Sequence, residues 1–219
     1  MIRPEKLDVL DNAWHPALAR DDDIALASWR VFDLDRSILE PDEIRVAPLT
    51  GDGPGEPRTV VNGLFAWGPS LARSTDGWGV LAVRREEDVW RLQCHHLDKE
   101  VSPESVELIS HPQRSVAGFS VTRDGEDPLI VWIEVNPPGR RLMARRMQDA
   151  EPTCLDDGAL WSPSAVAADG REKIVAWENA GLIRMARLDE KMQLRDETAA
   201  KIPGRVLGHP DVACDGENV

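Results

Sequence analysis

The chain has 219 residues and a formal net charge of −13, from 26 Lys and Arg against 39 Asp and Glu. Without a basic run, that balance argues against nucleic acid or an anionic membrane surface as a partner. No window approaches eighteen apolar residues and the first residues carry no apolar core of signal-peptide length, so no membrane-spanning helix or leader is expected.

In chain order the sequence reads as short strands separated by turn residues. Trp14-His15-Pro16 opens a first segment, an Asp21-Asp22-Asp23 turn follows, and Ile24–Arg30 and Ile44–Leu49 read as strands joined by a long insert, Val31–Glu43. Trp67-Gly68-Pro69 opens a second round, with Asp76-Gly77 as a turn and Val80–Arg84 and Val89–Leu92 as strands. The third round is His111-Pro112, Asp124-Gly125, Leu129–Glu134 and Leu142–Met147. The fourth is Trp161-Ser162-Pro163, Ser164–Ala167, Asp169-Gly170, Lys173–Glu178 and Leu182–Leu188, with a weaker strand near Glu197–Ile202. Asp-Gly is turn chemistry because Gly takes positive φ freely and Asp tolerates it. No segment holds i, i+3, i+4 apolar spacing between caps, and 16 Gly with 16 Pro punctuate the chain, so the reading is all-β.

The prolines 16, 69, 112, 163 and 210 are separated by 53, 43, 51 and 47 residues. A period near fifty filled with short strands is the signature of β-propeller blades, which bury their apolar faces only by stacking. The expected blades are 14–62, 63–109, 110–158 and 159–206, four full repeats. Residues 207–219 supply the first strand of a fifth, and 1–12 are a further contributor to it. The expectation is a partial propeller completed by more of the same protein or by a second chain.

The recurring pattern, Pro-x-(Val/Leu)-Ala, then Asp-Gly, then an apolar strand ending in Trp or Trp-Glu, resembles bacterial propeller repeats of the sialidase-like and Asp-box families. It covers about residues 14–216. Ser74-Thr75-Asp76-Gly77-Trp78 departs from the Asp-box pattern, with its glycine one place early and its tryptophan too close. The resemblance implies a propeller fold; the tyrosine nucleophile of sialidases has no counterpart, because the chain contains no tyrosine.

If the first strand of each blade leaves the proline and the second returns, strand-one starts and strand-two ends share a rim. That rim collects His15, His111 and His209, together with Arg30, Arg84, Glu134 and Glu178, and the Val31–Glu43 insert emerges there. Long loops on a rigid scaffold commonly carry function. The three histidines belong to different blades, so no metal site is expected. Cys94-His95-His96 is a strand on which Cys94 and His96 share a face, with a structural or surface role. The cysteines, Cys94, Cys154 and Cys214, show no metal spacing and no disulfide pattern, the habit of a reducing, cytoplasmic setting. Trp14, Trp67 and Trp161 read as repeated packing between blades, Trp132 and Trp177 as core, and Trp78, beside a turn, as exposed.

The functional expectation is a non-catalytic binding or scaffold propeller that offers this rim to a protein or peptide partner, with no cofactor. The alternative is a carbohydrate-binding or glycosidase-like propeller module with catalytic residues largely outside this chain, Glu134 and Glu178 being the only recurring carboxylate pair within it.

Overall fold

The computed structural model describes residues 13–20, 24–31, 42–50, 53–74, 76–122, 127–158, 163–168, 172–189, 191–201 and 210. These form seventeen strands in four antiparallel sheets, with no helix among them. Blade 1 is β1 (Ala13–Arg20), β2 (Ala25–Val31) and β3 (Asp42–Thr50), whose far edge pairs with both β4 (Gly53–Pro54) and β5 (Arg58–Gly63). Blade 2 is β6 (Ser70–Ser74), β7 (Gly77–Glu86), β8 (Val89–Leu97) and β9 (Pro103–Leu108). Blade 3 is β10 (Val116–Val121), β11 (Leu129–Asn136), β12 (Gly139–Arg146) and β13 (Thr153–Asp157). Blade 4 is β14 (Ser164–Ala168), β15 (Glu172–Asn179), β16 (Leu182–Leu188) and β17 (Leu194–Lys201). Strands that pair in sequence order as four-stranded meanders are the blades of a β-propeller.

The chain divides into two compact units, residues 1–112 with blades 1 and 2, and 113–219 with blades 3 and 4. Inside the first unit β1 packs beside β6, and inside the second β10 packs beside β14. Blades within a unit therefore meet along their first strands. The fourth strands β9 and β17 are exposed along most of their length.

Period-two alternation assigns each strand face. In unit 1, Trp78, Val80 and Ala82 of β7 and Leu97 of β8 pack against Leu26, Ile44, Val46 and Val61 of blade 1. In unit 2, Leu129, Val131 and Ile133 of β11 pack against Val175 and Trp177 of β15. Trp132 and Trp177 are fully buried, as the apolar runs around them imply. Trp78 is buried too, contrary to the exposure its turn-side position suggests. The hairpin closes at Ser74↔Gly77, so Trp78 is already inside the ladder, paired with Leu97 and facing blade 1.

Two loops repeat a device absent from the expected pattern. After Leu97, the Asp98 carboxylate accepts the amides of Glu100 and Ser102, both at 2.8 Å. After Leu188, the Asp189 carboxylate accepts the amides of Lys191 and Gln193, both at 2.9 Å. In each loop the residue three places after the aspartate, Val101 or Met192, has positive φ (64° and 61°) and is buried as a plug under the turn. Leu-Asp-x-x-(Val/Met) is thus a third-to-fourth-strand connector in blades 2 and 4.

The glycines act by two different routes. Gly77 does not have positive φ; a Cβ there would sit 2.1 Å from the Leu97 carbonyl oxygen, so glycine is required for backbone approach. Asn179 and Leu182 pair across a two-residue turn in which Ala180 and Gly181 both have positive φ (55° and 78°), the type I′ pattern that favours Asn-Gly. The Asp-Gly pairs at 124–125, 169–170 and 215–216 lie outside the described residues. Gly77→Ala is expected to destabilise by roughly 2–3 kcal/mol through forced displacement of backbone. Ala180→Asn is expected to stabilise by about 0.5–1 kcal/mol by relieving left-handed strain. Urea midpoints at unchanged slope measure both.

Candidate functional site

Strand register brings strand-one starts and strand-two ends to the same end of each blade. Trp14 pairs with Arg30, Val116 with Glu134, and Phe65, upstream of β6, bridges to Arg84. In blade 4, Ser164 pairs with Ala176, two residues before Glu178.

In unit 1 this end is a network of charge. His15 is exposed and sits at a β-bulge with φ 52°; its side chain lies over Gly68, where a Cβ would fall 2.0 Å from the His15 Cβ. The Arg30 Nε donates to Asp42 at 2.6 Å, and that carboxylate is buried. At the β7–β8 hairpin, Glu86 accepts from Arg91 Nη1 at 2.6 Å with one oxygen and from Gln93 Nε2 at 2.6 Å with the other. Arg84 Nη1 lies 3.8 Å from the second of these oxygens. Partial burial pushes the Glu86 carboxyl up, but the Gln93 and Arg91 hydrogen bonds and the charges of Arg91 and Arg84 outweigh it and hold it below the usual range. Arg85 pairs with Asp88 at 2.9 Å and lies 6.0 Å over the Trp90 ring. His111 is exposed, and the adjacent Pro112 carbonyl accepts from Arg91 Nε at 2.9 Å.

Behind this network runs a polar seam between blades 1 and 2. Ser28 shares the Leu26 face of β2, Arg84 the Ala82 face of β7, and Gln93 and His95 the Leu97 face of β8. These are the faces on which the two blades meet. Ser28 Oγ, Arg84 Nε, Gln93 Oε1 and His95 Nε2 are all buried there without a hydrogen-bond partner among the described residues. His95 is 4 % exposed; burial first, then the charges of Arg84 and His96, push its pKa down to about 4, so it is neutral at pH 7. Cys94 is buried on the opposite face, and His96, part-buried on Cys94's side, lies 3.3 Å from Glu107.

Unit 2 treats its two carboxylates differently. Glu134 is 1 % exposed and accepts from Trp132 Nε1 at 3.3 Å and Arg114 Nη1 at 3.2 Å. It shares the even-numbered face of β11, whereas the odd-numbered face packs on blade 4. Glu178 is 3 % exposed, with Oε2 unpartnered, on the face of β15 turned away from blade 3. The two carboxyls therefore point away from each other across the blade 3–blade 4 core. They are buried in blade faces rather than presented on an open rim, because each is flanked at i−2 by a core residue, Trp132 or Ala176. The blade 3–blade 4 seam is instead closed by Asp156 of β13, which accepts from Trp177 Nε1 and Asn179 Nδ2, each at 2.7 Å.

His209 and most of the Val31–Glu43 insert lie outside the described residues, as does Trp161; the Trp14 side chain is likewise undescribed. Among the described residues no three His, Cys, Asp or Glu side chains gather as a metal-ligand set. Sequence reasoning missed Glu86, Arg91 and Gln93, gave His95 only a structural or surface role, and reached Asp42 only as part of the Val31–Glu43 insert. The alternation Arg91-x-Gln93-x-His95 puts these three on one strand face, but only the packing shows that this face meets blade 1.

No protein-family model and no curated protein matches the sequence. Among solved structures, the chain is similar to puromycin hydrolase, with a TM-score of 0.58 at 16% identity over 84% of this chain and 28% of that one. It is similar to the Dos1 propeller at 0.53 and 8% identity, over 88% of this chain and 48% of that one. It is also similar to the GH43_1 enzyme from Xanthomonas citri complexed with xylose, at 0.53 and 11% identity over 89% and 76% of the two chains. At such identities the likeness shows the β-propeller fold and no narrower family. The chain spans under a third of the puromycin hydrolase it matches.

The buried neutral His95 carries a pH dependence with a definite sign. Its folded pKa, about 4, is below the ordinary 6.5, so between these values the unfolded chain binds a proton that the folded chain does not. Its stabilising effect is complete above about pH 6.5 and is lost as the pH falls towards 4. Between pH 7 and pH 5 the wild type is expected to lose about 2 kcal/mol more than His95→Gln. Urea unfolding at the two pH values measures this; equal losses would show that His95 is not buried neutral.

Proposed function

We propose that the chain is a non-catalytic binding propeller that presents the charged end of unit 1 to a protein or peptide partner. The observation that carries this reading is the interlocked set Arg30–Asp42 and Arg84–Glu86–Arg91–Gln93, with exposed His15 and His111 at the same end. Side chains held by mutual hydrogen bonds lose little freedom on association, which suits them to recognition. A protein partner here, or a chain that completes the propeller, is part of the same reading.

A second reading, carbohydrate binding, draws on the fold likeness to the xylose-bound enzyme. Its hydrolytic version needs two carboxyl groups about 5–10 Å apart facing one substrate. Glu134 and Glu178, on opposite blade faces, do not meet that requirement.

A photo-crosslinking residue at His111 tests the proposal, with one at Val106, exposed on the outer strand β9, as comparison. In extracts of the producing cells, crosslinks to a discrete protein are expected from position 111 and not from 106. Equal crosslinking from both positions would remove the rim reading. Saturable calorimetric binding of xylo-oligosaccharides without protein crosslinks would establish the second.

A further inference from the structure

We propose that Arg84 is a receptor for a carboxylate, and that the partner of the unit 1 rim is recognised there through an acidic side chain or a chain terminus. This rests on the binding reading above and gives it a chemistry.

Among the described residues, Arg84 at the end of β7 has its nearest carboxylate already satisfied by others. Both oxygens of Glu86 are taken at 2.6 Å, by Arg91 and Gln93, which leaves Arg84 at 3.8 Å. Arg30 has Asp42 at 2.6 Å and Arg85 has Asp88 at 2.9 Å. Among the described residues of these ends, Arg30, Arg45, Arg84, Arg85 and Arg91 stand with Asp42, Glu43, Glu86, Glu87 and Asp88, five charges of each sign.

The geometry is pre-set. Arg84 lies flat on the backbone of β5, where a Cβ on Gly63 would come 2.5 Å from its Nε and 3.1 Å from its Cγ and Cδ. The side chain as a whole is 35% exposed. Its Nε is buried without an acceptor. Facing the same seam are His95 Nε2 and Ser28 Oγ, both more than nine-tenths buried and also unpartnered. A planar carboxylate accepts parallel N–H bonds from one guanidinium edge, and this bidentate pairing is stronger and more selective than a point charge.

An acidic sugar carries the same group, but the hairpin favours a peptide. Sugar rings stack on open aromatic faces, and the Trp90 ring at this hairpin already has Arg85 over it.

Glutarate, which copies a glutamate side chain, tests the site on the full chain by titration followed through the Arg84 Nε–H and His95 ring resonances. Saturable shifts in the millimolar range are expected with glutarate and none with glutaramide, its neutral counterpart. Arg84→Met is expected to weaken binding at least about tenfold, and Arg84→Lys by several-fold, since lysine keeps charge and loses the parallel pair. Arg45→Met, which removes a guanidinium already paired with Glu43, is expected to leave binding unchanged. The comparison of glutarate with glutaramide needs no variant, so it stands even where Arg84→Met fails to fold. No saturable shift up to about 50 mM glutarate, equal shifts from glutaramide, or full binding by a folded Arg84→Met overturns the proposal. Galacturonate binding about tenfold tighter than glutarate overturns the peptide source. Because the titration uses no cellular partner, its failure beside successful rim crosslinking removes this inference alone.

Discussion

The stacking of one blade's apolar face on the next is the constraint on which the structure depends. A four-stranded meander cannot bury both of its faces by itself, so each sheet is stable only with a covering sheet. Within each unit the two blades meet through β7 and β8 on β2 and β3, or through β11 and β12 on β15 and β16. The seams share a middle of Leu, Ile, Val and Ala and differ at the rim. Blade 3 meets blade 4 with a closed latch, in which a single carboxylate, Asp156, satisfies an indole and an amide at 2.7 Å. Blade 1 meets blade 2 with polar groups of which several remain unsatisfied. Each unsatisfied buried group costs about 1–3 kcal/mol. The face of β16 that carries Ala186 and Leu188 also buries an unpartnered Arg184 Nε, so both seams bear this cost, and such local concessions are where recognition is to be sought.

Register explains why the two similar-looking glutamates have different surroundings. Counted from the hairpin asparagines, Glu134 stands two residues before Asn136, and Glu178 stands one before Asn179. A one-residue offset on a strand turns a side chain to the other face. Hence the place that is Glu134 in blade 3 is Trp177 in blade 4, the core residue whose indole binds Asp156. Two strands that both read Trp…Glu in sequence therefore build opposite faces, and no acid–base pair results.

The period of the prolines and the β-rich second and third strands were legible in the sequence, because those strands are apolar and lie inside the sheets. Trp132 and Trp177 followed from the same runs. The outer strands were harder to read: β9 is Pro-Glu-Ser-Val-Glu-Leu and β17 is Leu-Arg-Asp-Glu-Thr-Ala-Ala-Lys. A strand exposed on its outer side has little apolar alternation to betray it. Trp78 reads as exposed because a turn precedes it in sequence, whereas Gly77 lets the chain press against Leu97 and carry the next residue straight into the core. The seam was invisible for a different reason. Nothing in Arg91-x-Gln93-x-His95 says which face of β8 meets a neighbouring blade; only the packing of Leu97 and Val80 on blade 1 decides it.

That packing also couples the two groups at the centre of the seam. The charge of Arg84 is the second cause, after burial, of the low pKa of His95, with His96 third. An anion bound to Arg84 offsets its charge. The imidazole then meets less repulsion and its pKa rises. By linkage the converse holds with the same free energy, so a protonated His95 binds the anion more tightly than a neutral one. Acid thus acts on this seam in two opposed ways, weakening the empty fold by charging a buried ring and strengthening its hold on a carboxylate. The balance is set by the distance between two side chains that the alternation of β7 and β8 places on the same face.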